Sequence, residues 1–130
     1  MALTALAGPL ANLLASLLGA IILYGVILGT NGYVPDFLST FLSAYITINI
    51  TLAVFNLIPL PPLDGSKILG SFLSSKALYN YYRYQNIIIM VAFVVLFSGL
   101  LDGPLYAIES ACTNGILWLA RLPFRLFGLL

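Results

Sequence analysis

Histidine is absent from this chain, cysteine occurs once, and only 7% of its 130 residues are charged. Each shortage excludes something. Zinc takes at least three protein ligands from His, Cys, Asp or Glu, so a zinc site built from this chain alone is not expected. Cys112 has no partner, so neither is a disulfide framework. A water-dispersed domain needs roughly a quarter of its residues charged, whereas this one has four acids (Asp36, Asp64, Asp102, Glu109) and five bases (Lys67, Lys76, Arg83, Arg121, Arg125). With 62% hydrophobic residues and a mean hydropathy of +1.08, most of the surface must face lipid. A net charge of +1 with no basic run excludes nucleic acid as a partner, because phosphate binding needs clustered Lys and Arg on one face. The opening Met1-Ala2-Leu3-Thr4 lacks a basic n-region and leads into an apolar stretch longer than a signal-peptide core, so no cleavable signal is expected.

Apolar sequence is what the chain has in quantity. Residues 5–29 form a 25-residue run, long enough to cross about 30 Å of hydrocarbon at 1.5 Å per residue. Turn residues follow at Asn31, Gly32 and Pro35, and residues 37–58 supply a second span. Pro59, Pro61 and Pro62 have no N–H to offer the carbonyls of Phe55, Leu57 and Ile58, so the helix breaks there. A mixed stretch with Tyr79, Tyr81, Tyr82 and Tyr84 has the composition of a headgroup-level segment. Residues 81–101 make a third span, and residues 104–120, with Glu109 as an outer-interface residue and Cys112 as an apolar filler, either cross or lie on the surface. Crossing is favoured by charge: with four crossings all five basic residues fall on one side, and the opposite loops carry only Asp36 and Asp102.

The expected fold is therefore an all-α integral membrane protein. It is a single membrane domain over residues 1–130, with about four transmembrane helices, a proline-broken helix before Leu63-Asp64-Gly65, and both termini cytoplasmic.

A few residues stand out for chemistry. Gly8, Asn12, Ser16 and Gly19 share one face of the first helix, which Pro9 would open as a first-turn residue. That face suits a close helix contact, and a loop-orienting role for Asn12 is the alternative. Asn49 and Asn56 need partners in lipid. Asn49 is expected to bond another helix, while Asn56 lies next to carbonyls stripped of donors, where irregular backbone must be buried or line a wet cavity. Asp64 is either a helix N-cap, ahead of Gly65-Ser66-Lys67, or a functional carboxylate.

Ala7-Gly8-Pro9-Leu10-Ala11-Asn12 followed by Phe55-Asn56-Leu57-Ile58-Pro59-Leu60-Pro61-Pro62-Leu63-Asp64-Gly65 closely resembles two signatures of the site-2 protease family, the intramembrane zinc metalloproteases. The resemblance implies that Asp64 is a zinc ligand beside two His of an H-E-x-x-H helix whose Glu is the general base. It also implies that Asn56 helps hold the substrate backbone or the developing oxyanion, and that Gly8, Pro9, Asn12, Pro59, Pro61, Pro62 and Gly65 are structural motif residues. The cofactor would be Zn, and the partners would be the lipid bilayer and single-span membrane protein substrates of a bacterial cell membrane. Because H-E-x-x-H is missing, Met1 reads as an internal Met of a longer frame, and the chain as a truncated C-terminal part, inactive alone and binding no zinc alone. The alternative is a non-catalytic pseudo-protease that binds transmembrane helices, or a scaffold in which Asp64 is only a cap.

Overall fold

Backbone polar groups in hydrocarbon have no water to bond, so a chain this apolar is held to helices. The computed structural model describes residues 2–129. It shows six helices among them and no strand: α1 Ala2–Gly29, α2 Asp36–Leu57, α3 Asp64–Phe72, α4 Ser75–Arg83, α5 Gln85–Phe97 and α6 Asp102–Leu126. The scarce charges sit where helix dipoles favour them. Asp36, Asp64 and Asp102 occupy the first turns of α2, α3 and α6, and Arg83 and Arg125 the last turns of α4 and α6. Gly32, at φ +92°, lets the chain turn out of α1 while its N–H reaches the Ile27 carbonyl at 2.7 Å, an arrangement that satisfies an end-of-helix acceptor.

The small face of α1 is a helix contact. Ser16 is fully buried and its one hydroxyl proton is shared between the Asn12 carbonyl at 3.0 Å and, across the interface, the Ile46 carbonyl at 3.3 Å. A Cβ on Gly19 would lie 2.9 Å from Tyr45 Cδ1 and 3.2 Å from Ile46 Cγ1, so the two backbones approach closely only because that residue has no side chain. Ala20, Ile46, Ile50 and Val54 meet Ile116 and Ala120 of α6 in one core, with Cys112 as a partly buried filler.

Several expectations are corrected. α1 begins at Ala2, so Pro9 lies inside the helix and not at its first turn; its ring is fully buried, and packing sustains a residue that removes a donor to the Ala5 carbonyl. Asn49 bonds its own helix: its Nδ2 donates to the Tyr45 carbonyl at 2.9 Å, and among the described residues it has no partner on another helix. Residues 81–101 are not one helix: the chain breaks at Tyr84, and α5 has 13 residues, about 20 Å at 1.5 Å per residue, too short to cross alone. α1 and α2 are each long and apolar enough to cross, and α5 with α6 passes the same test only as a pair bent by 83°, giving two or at most three such spans.

The five basic residues do not gather at one end either. Asp64, paired with Lys67, lies against Gly8 near the start of α1, whereas Arg121 bonds Tyr24 near its other end. α6 thus runs parallel to α1, carrying Arg121 and Arg125 away from the Lys67 end. Glu109, expected at the outer interface, lies instead with Phe55 and Asp102 toward the Asp64 end. Contacts at the two ends of α6 fix this direction: Leu105 and Glu109 share a groove with Phe55, whereas Arg121 and Phe124 meet Tyr24.

Two measurements check the packing. Gly19→Val should lower detergent-solubilised thermal stability by about 1–3 kcal/mol through overpacking. Gly115→Ala, where a Cβ meets nothing within 4 Å, should not. In a Cys112→Ala background, Ser74→Cys and Arg125→Cys should be labelled from opposite sides of the membrane. Labelling from the same side contradicts a parallel α1 and α6.

Candidate functional site

α2 stops at Leu57 because the next turns lack donors at Pro59, Pro61 and Pro62. Tighter turns give the Phe55 and Ile58 carbonyls new donors. The Ile58 N–H donates to the Phe55 carbonyl at 3.0 Å, Leu60 N–H to Ile58 at 2.8 Å and Leu63 N–H to Leu60 at 2.7 Å, with a cis Pro61–Pro62 bond in the last turn. Gly65 closes the corner: a Cβ there would overlap the carbonyl oxygens of Leu57 and Ile58 and lie 2.6 Å from the Ile58 carbonyl carbon. The start of α3 therefore rests directly on the end of α2. Ser66, buried, donates its hydroxyl to the Leu63 carbonyl at 2.7 Å. Tyr81 of α4 reaches back with its hydroxyl to the Pro59 carbonyl at 2.9 Å. Burial, and then the neighbouring Tyr82, push its pKa up, which keeps that hydroxyl a donor.

This corner presents Asp64. The carboxylate is not an N-cap, because Leu63 occupies the cap position and makes no side-chain cap bond. Its Oδ1 instead accepts from Lys67 Nζ at 2.8 Å, one turn on, with side chains 30% and 54% exposed respectively. The hydrogen bond that Lys67 donates to Asp64, and then the carboxylate's charge, raise the Lys67 pKa above the usual lysine value, although so exposed a pair contributes little to stability. Oδ2 faces Gly8 of α1, where a Cβ would stand 3.1 Å away.

The fold thus brings Gly8 together with Asp64, although they lie far apart in the chain. Pro9 is buried beside Gly8, Asn12 stands one turn further along α1, and Pro59, Pro61, Pro62 and Gly65 shape the corner. Asn56, half-exposed at the end of α2, has a side chain with no hydrogen-bond partner among the described residues. The residue that sequence reasoning missed is Lys67. Its i+3 spacing from Asp64 on a helix was the available signal.

The residues present do not fit a zinc ion by themselves. No group of three or more His, Cys, Asp or Glu side chains comes together among the described residues, and the one exposed carboxylate at the corner already has a lysine partner.

Membrane-length helices with a single carboxylate delivered by a proline-rich corner describe an integral membrane protein with its polar chemistry at one end of the helix bundle. Residues 27–99 match the family model of peptidase family M50. The match takes in α2, the corner, Asp64 and α5, and leaves Gly8–Asn12 outside it. The chain belongs to that family, the site-2 protease family of membrane metallopeptidases. No curated protein and no solved structure matches it.

Gly65→Ala tests the corner. It should displace α3 from α2 and lower thermal stability by more than about 1 kcal/mol, as overpacking does. An unchanged melting profile would mean that the contact with the two carbonyls is not a constraint.

Proposed function

We propose that this chain serves peptide hydrolysis within the membrane, with Asp64 as the single ligand it contributes to a zinc centre. The other ligands and the general base come from an H-E-x-x-H helix outside these 130 residues. The observation that carries this reading is the contact of Gly8 with Asp64 Oδ2, which joins both signature segments into one site although the family match itself covers only the second. A hard, charged oxygen donor at a membrane edge is suited to a dication, and a lone one is not enough. Zinc, when held, supplies Lewis acidity and an activated water. This chain's own residues do the rest. Asn56, with its side-chain amide free, holds an extended substrate backbone, and an apolar groove of about 430 Å³ beside Ile58, Pro59 and Leu60, walled by Ile88 and Val91 of α5, takes the apolar flank of a single-span substrate. Lys67, Lys76 and Arg83 mark the Asp64 end as cytoplasmic.

A second reading rests on the Lys67–Asp64 pair at 2.8 Å. A carboxylate neutralised by a lysine needs no metal, and the chain would then bind membrane helices at the corner without cutting them.

Zinc content and cleavage of a transmembrane peptide, measured on a form extended upstream to include H-E-x-x-H, separate the two. Asp64→Asn should lose zinc and activity while keeping its helices, since no capping bond is removed. Asn56→Ala should keep zinc and cleave about 100- to 1000-fold more slowly, the range for removing one group that stabilises developing charge. Full zinc and normal turnover in Asp64→Asn would favour the non-catalytic reading.

A further inference from the structure

The end of α6 remote from Asp64 carries the only two arginines outside the α3–α5 region, and no described residue forms an ion pair with either. The one ion pair found among the described residues is Lys67–Asp64. Arg121 is nevertheless held in place. Its Nε donates to the Tyr24 hydroxyl at 2.6 Å, its guanidinium carbon sits 5.1 Å from the centroid of the same ring, and that ring packs against Phe124 at 6.5 Å. Guanidinium has five N–H donors, so with Nε engaged the two Nη groups keep four, set in the planar fork that matches phosphate oxygens. Arg125 follows at i+4 and Trp118 precedes at i−3, so all three share one face of α6, and that face is exposed.

Depth favours one ligand. Tyr24 lies little more than one turn before the end of α1 at Gly29, and Arg125 is in the last turn of α6, so both guanidinium groups reach the level where a spanning helix meets the headgroup layer. Trp118, 55% exposed, lies one turn deeper, where an aromatic faces acyl chain. A charge at a helix end in a membrane is expected to be paired or to reach the interface, and bilayers offer the missing anion.

We propose that Arg121 and Arg125, with Arg121 oriented by Tyr24, bind the phosphate of an anionic phospholipid whose acyl chain lies along Trp118. The site is separate from the Asp64 corner, at the opposite end of α1, and does not depend on catalysis.

The chain's single tryptophan is its own reporter. The full chain is reconstituted in phosphatidylcholine vesicles containing a minor fraction of brominated phosphatidylglycerol or, in parallel, the same fraction of brominated phosphatidylcholine. Quenching of Trp118 should show a preference for the anionic lipid. That preference should fall about fivefold per arginine replaced in Arg121→Gln and Arg125→Gln, the effect of one basic residue at an anionic surface. Tyr24→Phe keeps the ring and loses the acceptor, so it should reduce the preference by roughly threefold, as loss of one hydrogen bond would. It also carries the test if the double glutamine variant loses helicity by circular dichroism. Equal quenching by both lipids in the unaltered chain would overturn the proposal, as would a preference that survives the double replacement. Abolition of the preference by added inorganic phosphate would assign the site to free phosphate and overturn the lipid.

Discussion

Three missing backbone N–H groups, at Pro59, Pro61 and Pro62, impose the constraint on which the rest of the structure depends. Carbonyls near the end of a membrane helix cannot be left bare without a cost of several kcal/mol each. The chain answers with a series of short turns and with Gly65, whose missing side chain lets α3 sit on the Leu57 and Ile58 carbonyls. Everything polar at that end follows from the corner so made. It aims Asp64 at Gly8, buries Ser66, and gives Tyr81 a carbonyl to hold. An ordinary helix through residues 58–65 would have spread these groups around its circumference.

Local chemistry was the legible part of this chain. The end of α2, the turn at Gly32, the all-helical class and the close contact along Ser16 and Gly19 each depend on a few neighbouring residues and on rules that hold wherever those residues occur. The path of the chain after Tyr84 was not legible in the same way. Residues 85–101 are as apolar as a spanning helix, but apolarity does not specify orientation in lipid, where every direction within the hydrocarbon solvates the side chains equally well. The direction of α6 was misread for a related reason. Charge counting treats Arg121 and Arg125 as free to choose a side, whereas the contacts of Leu105 and Glu109 beside Phe55 and of Arg121 and Phe124 with Tyr24 settle it. At the corner, the cap reading of Asp64 failed because Leu63 takes the cap position. Only the three-dimensional course of residues 59–63 could show that.

The Asp64–Lys67 pair shows how such a site can exist in a chain with few charges. An isolated carboxylate at the membrane edge would shift toward its neutral form or draw in water. A lysine one turn along the same helix compensates it at short range, and its long stem allows it to move away without disturbing the backbone. The carboxylate thus stays reachable, held by a partner that is itself more than half exposed.

The core also carries a consequence for biogenesis. Its two halves are separated by most of the described residues, α1 and α2 being made before α6. The α1–α2 hairpin emerges able to form its close backbone contact at once, but the groove beside Ala20, Ile46 and Ile50 waits, filled by acyl chains, until Ile116 and Ala120 arrive. Insertion and compaction are then distinct events in time, and the second is an exchange of lipid for protein at an apolar surface. Such an exchange gains nothing from leaving water and depends on close packing, helped by the hydrogen bond from Arg121 to Tyr24. α6 therefore acts as the closing piece of a core that the membrane has until then held open.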